Sequence, residues 1–178
     1  ESVSTDHFAT SELCSRCHST AESARALKDA QGRSIGPYDL WRTSMMANSS
    51  VDPFWRAVVA AEVAATPSRK AEIEAKCLRC HTPMASLEAE FTGTAPSRKR
   101  FLDGKSTLAR LASDGVSCTV CHQIPSDGVG QDESFSGHFR IADEGKLFGP
   151  HERPFFMPMY RHTGYRATES SHVQESAL

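Results

Sequence analysis

The chain has 178 residues, a formal net charge of −2 and 39% hydrophobic residues, with only 8% aromatic residues. This length fits one domain or two small ones, and the aromatic content is low for a conventional hydrophobic core of that size. The near-neutral charge gives no support for nucleic-acid binding, and the best apolar run, Ala57 to Ala65, is too short for a transmembrane segment and contains Glu62.

The first two predicted helices are marked by capping residues. Thr10 or Ser11 can cap a short helix that leads into the sequence CSRCH. The clearest helix follows Asp52, a candidate N-cap, with Pro53 at its first position and Pro67 beyond its end. Its apolar face is predicted from residues at intervals of four and three: Phe54, Val58, Ala61 and Ala65.

The remaining chain alternates helix and irregular segments. A helix starting at Ser68 or Arg69 carries CLRCH on its last turn and ends before Pro83. The sequence SDGVSC turns the chain into a third cysteine pair. Residues 125–137 read as an exposed loop, and residues 138–172, rich in His, Pro, Gly and Arg, read as a segment with weak periodicity.

All six cysteines belong to three copies of one motif, CxxCH. The copies are Cys14, Cys17 and His18; Cys77, Cys80 and His81; and Cys118, Cys121 and His122. Two thiols three positions apart on a helical turn reach the two vinyl groups of a haem, and the next residue then supplies the proximal imidazole to the iron. The pattern predicts three covalently attached haems c.

Other uses of cysteine explain the pattern less well. A zinc site built from two pairs would take four thiolates and leave the third pair and all three histidines unused. A redox dithiol usually occurs once, within a thioredoxin-like βαβ pattern that this sequence does not show. Three local disulfides would also leave the histidines unexplained.

Three porphyrins would supply the apolar surface that the side chains lack. We therefore expect a mainly α, loop-rich multihaem fold with the haems as its core and little or no β-sheet. The expected organisation is a single triheme domain over residues 1–178. In it, residues 1–125 attach the haems, and residues 126–178 form an irregular wrapping segment that supplies distal ligands.

Longer stretches around the motifs carry a family resemblance. The segments YDLWRTSMMANSSVDPFWRAVVAAEV, KCLRCHTPMA and GVSCTVCHQI, in this order, resemble the multihaem c-type cytochromes related to the tetrahaem electron carrier of hydroxylamine oxidation. The tail from Gly149 is similar to the segment that precedes a further haem motif in those proteins. Because the chain stops at Leu178 without that motif, a natural triheme form, a processed fragment and a truncated chain all stay open.

The resemblance also suggests distal ligands. Met46 stands where many relatives have a ligating histidine, and His172 resembles another ligand position of the family. His138 and His162 are the further candidates for the three distal positions, of which one would be filled by Met46 in a His–Met haem and the others by histidines. His7 could reach a neighbouring haem and His151 could cap a turn, but neither is included in this set.

Closely spaced haems predict a relay for single electrons between redox partner proteins rather than an enzyme. Two alternatives stay open at this point. One is a small multihaem oxidoreductase with an open coordination position that acts on a nitrogen or sulfur compound; the other is a subunit of a larger redox complex or cytochrome filament. Since residue 1 is Glu rather than Met, we expect an exported, processed chain located in the periplasm or outside the cell.

Overall fold

The structure is a computed structural model that describes residues 2–143 and 145–176. Helices predominate in it, and its sheet is one pair of short strands, which confirms the mainly α, loop-rich fold with little β-sheet. In chain order the elements are α1 (Ser11–His18), α2 (Pro37–Trp41), α3 (Pro53–Ala65), α4 (Lys70–His81), α5 (Pro83–Phe91), α6 (Arg98–Leu102), α7 (Thr107–Ser113), α8 (Cys118–Cys121), β1 (Lys146–Gly149), α9 (Met157–Thr163) and β2 (Arg166–Glu169). Short 3-10 turns lie at Pro67–Arg69, Asp132–Gly137 and Ser171–Gln174.

The chain divides into two compact units, Glu1–Ser117 and Cys118–Leu178. The first unit carries the first two CxxCH motifs, and the second carries the third motif together with the C-terminal segment. That three haems unite the whole chain into one domain stays a prediction.

The core of the first unit is built around α5, which follows α4 after a single residue. Residues 83–89 of α5 are all buried, and Met84 is completely so. The helix packs against α4 and α7, from which Leu78 and Leu111 contribute fully buried side chains. Burying these side chains supplies the main hydrophobic stabilisation of the unit.

Helix α3 begins and ends where the sequence predicts. The Asp52 carboxylate accepts a hydrogen bond from the Phe54 N–H at 2.9 Å, and Pro53 occupies the first helical position. The helix ends at Ala65, two residues before Pro67. The N-cap and the proline positions therefore fix both ends of the helix locally.

The buried face of α3 differs from the predicted one. Phe54 is 76% exposed and Val58 is also exposed, whereas Trp55 and Val59, each one position later, are buried. Nearly every residue of α3 is apolar, so that the sequence has little contrast between its faces. Packing against α4 selects the face that carries Trp55.

Helix α1 begins at Ser11, but its N-terminus is held by a distant side chain rather than by a local cap. Thr10 makes no capping hydrogen bond to the helix. Instead the Asp114 carboxylate accepts hydrogen bonds from the Ser11 backbone N–H and from the Ser11 hydroxyl, both at 2.7 Å. A carboxylate at this position complements the positive end of the helix dipole.

The second unit is more regular than the expected wrapping segment. Strands β1 and β2 pair in parallel, with Lys146 opposite Arg166 and Gly149 opposite Glu169, and α9 lies between them in the sequence. The weak periodicity of residues 138–172 hid these elements because each strand has only four residues.

Candidate functional site

The first two CxxCH motifs lie at the C-terminal ends of helices, and the cysteine pair of the third spans the whole of the four-residue helix α8. His18 and His81 are the last residues of α1 and α4, and His122 directly follows α8. Within each motif the two cysteines are three positions apart, which places them on neighbouring positions of one helical face. This is the arrangement that two thioether bonds to one porphyrin edge require.

None of the six cysteines forms a disulfide, and each is at least partly exposed. Burial raises the pKa of the Cys77 thiol and that of the Cys121 thiol. Both sulfur atoms are therefore protonated at neutral pH. Among the described residues, no three His, Cys, Asp or Glu side chains are grouped as a metal cluster.

The His81 imidazole is oriented by the loop before α3. Its Nδ1 atom donates a hydrogen bond to the Ser49 carbonyl oxygen at 2.8 Å, and the Ser49 hydroxyl donates to the His81 carbonyl oxygen at 2.9 Å. A backbone carbonyl only accepts hydrogen bonds, so it fixes the proton on Nδ1 and leaves Nε2 as the ligating nitrogen. This is the arrangement expected of a metal-bound histidine.

The Trp55 indole stacks on the face of the same imidazole ring. The two ring centroids are 4.2 Å apart with an angle of 10° between the planes, and the tryptophan is only 7% exposed. A stacked indole restricts rotation of the imidazole about its Cβ–Cγ bond. Trp55 and Ser49 together set the orientation of His81.

His122 is held by a different element in the same way. Its Nδ1 atom donates to the Phe148 carbonyl oxygen at 2.6 Å, and the Phe148 N–H donates to the His122 carbonyl oxygen, also at 2.6 Å. Phe148 belongs to β1, so the parallel strand pair positions the histidine of the third motif. For His122, as for His81, the hydrogen bond places the proton on Nδ1 and leaves Nε2 as the nitrogen that would bind a haem iron.

His18, the first of the three, is exposed at the end of α1. The chain that follows it is fixed by Asp39 of α2, whose carboxylate accepts a hydrogen bond from the Thr20 N–H at 2.7 Å. The Ser34 hydroxyl donates to the same carboxylate oxygen at 2.7 Å. These hydrogen bonds hold the pKa of Asp39 below its usual range, with Ser34 the larger cause.

The expected distal ligands have two kinds of environment. Met46, His138 and His162 are exposed side chains, with Met46 51% exposed. His172 is buried: its Nε2 donates to the Ile124 carbonyl oxygen at 2.8 Å, and its Nδ1 lies 2.6 Å from the Ser170 hydroxyl. Ligation through Nε2 of His172 would exchange the hydrogen bond to Ile124 for a bond to iron.

Comparison with known proteins identifies the family. The family model described as cytochrome c554 and c-prime matches residues 13–123, more than half of the chain. The chain belongs to this family. No curated protein and no solved structure gives a significant match. Membership of the cytochrome c554 and c-prime family confirms the resemblance inferred from the motifs.

The cytochrome family also fixes the general chemistry. A c-type cytochrome binds covalent haem, whose iron changes between the ferric and ferrous states, and carries electrons between redox partners. The described residues of this cytochrome contain no helix long and apolar enough to cross a membrane.

The sequence did not reveal the groups that orient the histidines of the second and third motifs. Ser49 and Phe148 act through backbone carbonyl oxygens, which no side-chain pattern reveals. Trp55 could be expected near a porphyrin, but its stacking on His81 depends on which face of α3 packs inward.

Proposed function

We propose that this cytochrome holds three haems c and relays single electrons between redox partner proteins. The carrying observation is the shared geometry of the motifs. All three present a thiol pair on a helical face directly before the histidine, and two of the three proximal imidazoles are already oriented by backbone carbonyl oxygens. A histidine held through Nδ1 is prepared for a metal at Nε2.

Three haems on so short a chain would lie close together, which favours transfer from one to the next. The candidates for the three distal positions are Met46, His138, His162 and His172. A thioether donates less charge to ferric iron than an imidazole does, so the haem bound by Met46 would have the highest potential and give the relay a direction.

The number of haems is tested by mass spectrometry of the denatured protein, which should show three haem additions. The double variant Cys118→Ser with Cys121→Ser should show two, while Ser117→Ala, next to the same motif, should keep three. A wild-type protein with fewer than three haems would refute the triheme proposal.

The role in electron transfer is tested by redox titration and by exposure of the reduced protein to carbon monoxide. An electron carrier should show three one-electron steps and should bind no carbon monoxide, because each iron has two protein ligands. Stoichiometric carbon monoxide binding by the wild type would instead indicate an oxidoreductase with an open iron.

We further propose that the protein acts in the periplasm or outside the cell, where thioether attachment in bacteria follows export. Fractionation of the native organism should recover the haem-loaded form outside the cytoplasm. Recovery of that form only from the cytoplasm would overturn this assignment.

A further inference from the structure

His7 is held in the first unit by a buried carboxylate. Its Nδ1 atom lies 3.1 Å from Oε2 of Glu88, a residue of α5 that is only 7% exposed. The Thr5 hydroxyl donates to the same carboxylate oxygen at 3.0 Å. The imidazole also packs against Phe91, with ring centroids 4.3 Å apart. Glu88 and Phe91 of α5 therefore fix the ring, and Thr5 holds the carboxylate in place, while the His7 side chain is nevertheless 41% exposed.

This environment repeats that of the proximal histidines. His81 and His122 each have Nδ1 bound by an oxygen acceptor, which leaves Nε2 for iron. In His7 the acceptor at Nδ1 is a carboxylate in place of a carbonyl. A carboxylate that accepts the Nδ1 proton of a metal-bound histidine raises the basicity of the ring and orients it.

The composition of the first unit leads to the same residue. Residues 1–117 contain three histidines, of which His18 and His81 are used in CxxCH motifs. Of the expected distal ligands, only Met46 belongs to this part of the chain. Two haems are anchored here and need two distal ligands. If the second ligand is a histidine of the same unit, it is His7.

We propose that His7 is the distal axial ligand of one of the two haems attached in the first unit, with Glu88 as the residue that positions it. This proposal depends on the haem binding proposed above. His7 would coordinate iron through Nε2 while Nδ1 stays bound to Glu88. The buried negative charge would make the imidazole a stronger donor and lower the potential of that haem.

The test compares His7→Ala with the matched control His151→Ala, which removes an exposed histidine, in the haem-loaded protein. The His7→Ala protein should convert one of three haems from low-spin to high-spin in its ferric electron paramagnetic resonance spectrum. It should also gain binding of one carbon monoxide per protein, and added imidazole should restore the low-spin signal. The His151→Ala protein should match the wild type.

Two outcomes separate this proposal from the proposed function. If mass spectrometry finds three haems in the His7→Ala protein and all three remain low-spin, His7 is only the partner of Glu88 in an ion pair and the proposal fails, while the triheme assignment stands. If the wild type itself carries fewer than three haems, the proposed triheme function is refuted, and with it the basis of the His7 proposal.

A second pair of variants covers the case in which the His7→Ala protein does not accumulate. Glu88→Gln keeps an acceptor oxygen but removes the charge, so one of the three midpoint potentials should rise. Glu72→Gln, which removes the exposed partner of Arg69 outside the motifs, should leave all three potentials unchanged. Equal potentials in both variants and the wild type would overturn the proposal.

Discussion

The orientation of His81 by Trp55 can be tested with two substitutions of different shape. Trp55→Leu removes the aromatic ring that lies 4.2 Å from the imidazole, whereas Trp55→Phe keeps an aromatic ring at the same position. If stacking on His81 is what Trp55 does, the two variants should differ. If Trp55 is only a large buried side chain, they should behave alike.

The expected magnitudes follow from burial and from stacking. Truncating a buried tryptophan to alanine costs about 3–5 kcal/mol, of which leucine recovers a part through its own packing. The stacked aromatic pair adds about 1 kcal/mol beyond area burial. We therefore expect Trp55→Leu to lower the free energy of unfolding by about 2–3 kcal/mol and Trp55→Phe by about 1 kcal/mol.

The assay is urea unfolding of the haem-loaded protein followed by circular dichroism, together with ferric electron paramagnetic resonance. Rotation of the His81 ring should shift the g-values of one haem in Trp55→Leu and not in Trp55→Phe. Trp41→Phe is the control, because Trp41 donates to the Val116 carbonyl oxygen and packs on Tyr38 rather than on an imidazole. Equal losses of stability in both Trp55 variants, with unchanged g-values, would refute the reasoning.

Three further predictions concern the loop before the third motif and the candidate ligands. Gly115→Ala should lower the unfolding free energy by about 2 kcal/mol or more, because φ is +65° and the new Cβ would lie 2.6 Å from the Met46 carbonyl oxygen. Gly93→Ala, with φ of +64° and no atom within 4 Å, should show only the smaller backbone cost in the same urea assay. Burial raises the pKa of Asp114, so its contribution to the unfolding free energy is full below about pH 3.8 and is lost as pH rises through the raised value. Asp114→Asn should therefore remove this fall in unfolding free energy with pH, measured by urea unfolding at several pH values. The same pH dependence in the variant and the wild type would contradict the prediction. Met46→His should abolish the weak red charge-transfer band of a Met–ferric haem and lower the highest of the three potentials, and a wild type without that band would exclude Met46 as a ligand.

The sequence alone determined the features that depend on a few neighbouring residues. The CxxCH spacing is sufficient to predict the attachment residues, because a thioether pair and a following imidazole must come from one helical turn. Asp52, Pro53 and Pro67 fixed the ends of α3, since capping and proline geometry act within one turn of the helix. The low content of aromatic residues, together with three CxxCH motifs, was enough to predict the mainly α, loop-rich fold.

The tertiary structure decided what depends on residues far apart in the chain. It chose Trp55 over Phe54 as the buried residue of α3, because an almost wholly apolar helix has no preferred face until α4 packs on it. It joined Ser49 to His81, Phe148 to His122 and Glu88 to His7 through hydrogen bonds to backbone or carboxylate oxygens. Such contacts span 26 to 81 positions of sequence, and each needs the whole chain between them to fold before the acceptor reaches the ring.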